Sequence, residues 1–97
     1  MRYRKISLNQ EISKKARLLE LSGDETRIRI LCFMFEYGEG CVGDIAESLD
    51  VSINTTSHHL RIMKDSGFLA SERMGVNICY KLIRDKFIDD LEKVICN

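Results

Sequence analysis

At 97 residues, with 44% hydrophobic and 31% charged side chains, the chain has the size and makeup of one small globular domain, 1–97. A core this thin is commonly supplemented by dimerisation, metal or cross-links. No apolar run approaches the about 18 residues of a membrane helix, and the N-terminal stretch has no signal-peptide core, so the cytoplasm is the expected compartment. The formal net charge is zero, but it is segregated along the chain. Residues 1–22 carry six Lys/Arg against two acids, 23–50 two against seven, 51–84 five against two, and 85–97 two against four. The basic blocks are the expected places for contacts with an anionic partner.

Residues 7–21 read as a helix, with Ile12, Ala16 and Leu19 at i, i+4 and i+7. Ser22-Gly23-Asp24 breaks it, and Asp24 suits the N-cap of a second helix running to about Tyr37. There Ile28, Leu31, Cys32 and Phe35 are expected on one buried face, which would raise the pKa of Cys32. A short helix follows at 42–49, then the tight connection Asp50-Val51-Ser52, then a helix over 53–65 that Ser52 caps and Gly67 stops. Its inward face is Thr56, Leu60 and Met63. Residues 68–73 and 77–83 read as strands joined through Met74-Gly75-Val76, and a last helix covers 85–96. The fold class is therefore mainly α with a β-hairpin wing, in the order α-α-α-α-β-β-α.

Two helices joined by a short turn, the second rich in small polar and basic residues, form the helix-turn-helix pattern. The segment SINTTSHHLRIMKDSG has one side for its own domain and one for a major groove. Asn54 and Arg61 are able to make bidentate base contacts, while Ser52, Thr55 and Ser57 suit phosphates or base edges. His58 and Lys64 lie on the same outer side, and Arg73, Asn77 and Lys81 of the hairpin are candidates for phosphates or a minor groove. A solvated polar helix face fits the same pattern. His59 lies nearer the Thr56–Leu60 face and reads as a structural histidine.

The stretch from Leu21 to Leu82 resembles the ArsR family of transcriptional regulators. The pieces that carry the likeness are LSGDETRIRIL at 21–31, CVGDIAESL at 41–49, VSINTTSHHL at 51–60 and KDSGFL at 64–69. One departure is Glu25, where the family usually has Pro; Glu suits a first helical turn. The resemblance implies repression by binding double-stranded operator DNA. It also implies a homodimer whose interface uses the first and last helices to read a palindromic site.

Four cysteines, at 32, 41, 79 and 96, bear on what such a regulator senses. Metal-sensing relatives use C-x-C at the third helix; here the text is Cys41-Val42-Gly43-Asp44, and the second thiol is missing. The last helix offers Asp85, Asp89, Asp90 and Glu92 but no His, a set for hard ions rather than zinc-type sensing. Cys41 keeps a metal- or arsenite-responsive reading open, and no cofactor is otherwise expected. Cys79, between Ile78 and Tyr80, reads as an ordinary strand residue.

Cys32, in RIRILC, and Cys96, in KVICN, resemble the dithiol branch of the family, which senses reactive sulfur species or oxidants. That likeness implies a switch in which the two thiols join directly or through extra sulfur, with Cys96 the more exposed. A winged helix used only to bind a partner protein is a further reading. An enzyme is not expected, because the chain shows no nucleophile–base pair and no phosphate loop.

Overall fold

A computed structural model describes residues 2–96. Residues 2–9 precede the first element and are exposed. The elements are α1 (Gln10–Ser22), α2 (Glu25–Tyr37), β1 (Glu39–Cys41), α3 (Val42–Leu49), α4 (Ile53–Asp65), β2 (Leu69–Met74), β3 (Asn77–Leu82) and α5 (Lys86–Ile95).

Most boundaries are set by side chains that accept from otherwise unsatisfied first-turn amides. Asn9 accepts from Ile12 N at 2.8 Å, which starts α1 at Gln10 rather than at residue 7. Asp24 accepts from Arg27 N at 3.0 Å, Ser52 from Thr55 N at 3.1 Å and Asp85 from Ile88 N at 2.8 Å. The α3–α4 turn passes through Asp50 at φ 55°, a left-handed conformation that a short polar side chain tolerates. Gly38, at φ 82°, turns the chain out of α2 and into β1.

β1 was not expected. The sheet is antiparallel in the order β1-β3-β2, with Glu39 opposite Lys81, Gly40 opposite Tyr80 and Cys41 opposite Cys79. The hairpin register pairs Leu69 with Leu82 and Met74 with Asn77. Gly40 lets the chain pass close to Phe33: a Cβ there would meet Phe33 Cε1 at 2.6 Å, so a larger residue would force the ring to shift.

The core is drawn from every helix and from the sheet. It includes Leu21, Ile30, Leu31, Met34, Ile45, Leu60, Met63, Phe68, Tyr80 and Ile88. On α4 the inward residues are Thr56, Leu60 and Met63, as expected. Thr56 Oγ1 is buried without a hydrogen-bond partner among the described residues, so this hydroxyl costs stability. The inward arc of α2 differs from expectation: Ile30, Leu31 and Met34 are buried, Ile28 and Phe35 half-buried, and Cys32 exposed. The arc is turned by about 100°, one residue step of a helix. α2 lies against α1, α3, α4, α5, β1 and β3, and these neighbours select the arc.

The apolar stripe of α1 is uncovered in the single chain. Ile12 is 40% and Leu19 58% exposed, and α1 is anchored through buried Leu21 and half-buried Leu18 at its C-terminal end. Val94 on α5 is likewise 78% exposed.

Candidate nucleic-acid interface and thiol pairs

α4 is seated by its core face, which leaves Asn54, Thr55, His58, Arg61 and Lys64 exposed and Ser57 half-buried. The spacing of Asn54, His58 and Arg61 puts them on one helical face, with Ser57 and Lys64 on the adjoining row. Ser52 is exposed, but its hydroxyl is engaged: it accepts from Thr55 N and lies 3.0 Å from Thr55 Oγ1. Two arginines brace this unit from behind. Arg29 Nη2 donates to the carbonyl of Leu49 at the end of α3, and Arg27 Nε donates to His59 Nδ1 at 3.2 Å.

The wing divides its candidates. Opposed residues of an antiparallel pair share a face, and faces alternate along a strand. Asn77 and Lys81 therefore lie on one side with Glu72, and Arg73 lies on the other with Ile78. Lys81 also stands opposite Glu39 of β1. Arg73 and Asn77, near the exposed tip, are less encumbered.

His59 is the half-buried histidine the sequence suggests. Accepting from Arg27 Nε requires a neutral ring with a free Nδ1 lone pair, although Asp24 Oδ1 lies 4.0 Å away. Burial pushes the His59 pKa below its ordinary 6.5, overriding the pull of Asp24. The Asp24 carboxyl is held below its ordinary 3.8, first by the backbone amide of Arg27. Both groups bind protons less tightly in the folded chain than in the unfolded one. Stability is therefore greatest above about pH 6.5 and falls as pH drops below that value through the lowered His59 pKa, with Asp24 adding a loss at lower pH. Urea midpoints measured from pH 7.5 to 5 should decline, and His59→Gln should flatten that decline.

The thiols form two pairs. Cys32 on α2 and Cys96, the C-cap of α5, are both free and exposed. Burial raises the Cys96 pKa above its ordinary 9.0, the adjoining Cys32 thiol raises it further, and the Glu92 carboxylate adds to the shift. This corrects the expectation of a buried Cys32: the residue lies off the core arc and is exposed. The end of α5 is held to α2 by Arg84, whose guanidinium lies 5.5 Å from the Phe35 ring centroid and bonds Asp89 and Glu92 at 3.0 and 2.6 Å.

Cys41 is joined to Cys79 by a disulfide. The sequence offers Cys41 as a metal-ligand candidate and Cys79 as a plain strand residue. The bond ties up the Cys41 thiolate in this form, because β1 brings the two residues into register. Among the described residues, no three or more His, Cys, Asp or Glu side chains are grouped to hold a metal ion. The signal for the bridge lay in β1, whose three residues carry no alternation of their own.

The profile of the bacterial regulatory protein arsR family matches residues 24–71. The arsenical resistance operon repressor of Escherichia coli K12 is 37% identical over 65 residues, 67% of this chain and 56% of that protein. An uncharacterized HTH-type transcriptional regulator of Methanocaldococcus jannaschii is 32% identical over 88 residues, 84% of this chain and 99% of that protein. The crystal structure of the antimony-specific transcriptional repressor AntR superposes with a TM-score of 0.83 at 26% identity, covering 96% of this chain and 84% of that one.

Proposed function

The chain belongs to the ArsR family of bacterial regulatory proteins, a family of winged helix-turn-helix transcriptional repressors, and we propose that it is a homodimeric operator-binding repressor switched by its Cys32 and Cys96 thiols. α4 enters the major groove with Asn54 and Arg61 toward base edges. Ser52, Thr55, Ser57, His58 and Lys64 line the same approach, and Arg73 and Asn77 reach the flanking backbone. The uncovered stripe of α1 and the outer side of α5 supply the dimer face, and a second copy burying them gives the two-fold symmetry a palindromic operator needs. The repressor works in the cytoplasm, where its DNA is. No described helix is long and apolar enough to cross a membrane.

The observation that carries the switch is the adjoining thiols of Cys32 and Cys96. A direct or sulfur-extended bridge between them ties α2 to the end of the proposed dimerisation helix. It biases the dimer toward a geometry that no longer fits the operator. Relatives named for arsenicals and antimony raise a metalloid reading for Cys41, but its bond to Cys79 weighs against that reading in this form.

The test is binding to a duplex from upstream of its own gene, before and after treatment with a persulfide donor or peroxide. Linked 32 and 96 peptides should appear in mass spectra, and affinity should fall at least tenfold, within the usual range of coupling between sites. Cys32→Ser and Cys96→Ser should bind equally well with or without treatment. No linked peptide and no mass gain at these residues would sink the switch.

A further inference from the structure

We infer that Cys41 and Cys79 form a second reversible thiol–disulfide couple, separate from Cys32 and Cys96, that clamps the base of the DNA-reading unit. The couple itself stands on the geometry of β1 and β3; its bearing on DNA rests on the reading proposed above.

Cys41 ends β1, Cys79 stands directly opposite it on β3, and the bond spans 38 positions of sequence. The loop it closes holds α3, α4, β2 and the hairpin tip, which are the parts assigned to DNA. Cys32 and Cys96 lie outside that loop, so the two pairs act on different parts of the fold. β1 joins the sheet through a three-residue pairing with β3 and runs directly into α3. The bond therefore couples the helix-turn-helix to the wing at a seam that is otherwise short.

The bridge is reachable. Both cysteines are half-buried, yet they line an open depression of about 360 Å³ with Asp44, Glu72 and Lys81. That space admits a small dithiol. In a thiol-reducing compartment a protein disulfide is usually transient or sensory.

The chemistry has a direction. A thiolate of a small dithiol attacks Cys79 Sγ, the sulfur–sulfur bond breaks, and the electron pair leaves on Cys41 Sγ. Cys41 is the N-cap of α3 and makes no side-chain cap bond. The positive end of the helix favours the departing thiolate there. The reagent's second thiolate then attacks its own sulfur in the mixed disulfide and releases Cys79. The reagent ends as a disulfide, and two electrons and two protons have passed to the two cysteines. Oxidised reagent runs the same steps backward. With the bridge open, β1 is held by its backbone ladder and packing alone, and the wing loosens against α3.

The test uses the full chain carrying Cys32→Ser and Cys96→Ser, equilibrated across ratios of reduced to oxidised dithiothreitol. Differential alkylation and mass spectrometry report residues 41 and 79, and amide hydrogen exchange reports 39–41 and 77–82. Both thiols should appear together on reduction and vanish on reoxidation, while exchange in the two strands rises at least tenfold. A further Cys41→Ser change should leave exchange high and insensitive to the couple. Chemical reduction of the parent variant gives the same reading should that substitution fail to fold. A bridge that never forms, or exchange that agrees within twofold between the two states, would overturn the inference. A responsive couple in a protein that binds DNA in neither state leaves the couple standing and removes the repressor reading.

Discussion

Asn54→Ala combined with Arg61→Ala should weaken operator binding by about 2–6 kcal/mol, roughly 30-fold to 10⁴-fold, because each side chain can make a bidentate base contact valued at ~1–3 kcal/mol. The two residues are seven positions apart on α4, about 10 Å along the axis, so their losses should add. Both are exposed, and α4 keeps its core face of Thr56, Leu60 and Met63, so the fold should survive. Gel-shift or anisotropy titrations at one fixed salt concentration measure the loss, with circular dichroism as the folding control. Lys64→Ala provides the contrast. As a phosphate contact it should weaken all duplexes alike and reduce the salt slope by about one. A double variant that still prefers the operator over unrelated DNA as the parent does would remove α4 from base readout.

The helix-turn-helix was legible because its boundaries are local chemistry. Asp24, Ser52 and Asp85 each cap a helix within three residues of themselves, so α2, α4 and α5 begin within a residue of where the sequence places them. The inward face of α4 was legible for the same reason: apolar residues recur at helical spacing among polar ones. α2 is apolar on more than one side, so its pattern is compatible with several arcs. The neighbours that choose Ile30, Leu31 and Met34 lie far away in sequence. That one-step rotation moved Cys32 from the core to the surface beside Cys96. β1 was invisible because a three-residue strand holding a glycine exists only through its pairing with β3. With β1 unseen, nothing tied Cys41 to Cys79. The candidate DNA residues came from side-chain type and exposure on α4. Their division across the two faces of the wing came from strand register, which a hairpin of uncertain ends does not reveal.

Leu60→Ala should be among the more damaging single changes to the fold, at about 2–5 kcal/mol. Leu60 is fully buried, and α4 packs there against α2, α3 and β2. Truncation removes the transfer free energy of the lost methine and two methyl groups. It also leaves a void, because Ile30, Ile45 and Met63 sit in a core shared by all five helices and cannot all close on it. A domain of this size has about 5–15 kcal/mol in total, so the loss should lower the melting temperature by roughly 8–40 °C. Leu60→Met, which nearly conserves volume, should cost less than about 1.5 kcal/mol. Urea unfolding of the variants at one protein concentration isolates the effect, since the apparent stability of the proposed dimer depends on concentration. Operator binding should fall as well, because Leu60 precedes Arg61 and holds the helix that presents it. Binding should recover in Leu60→Met in step with stability. A Leu60→Ala loss below about 1 kcal/mol would mean that α4 is not seated on the core through this residue, and the outward placement of Asn54 and Arg61 would fall with it.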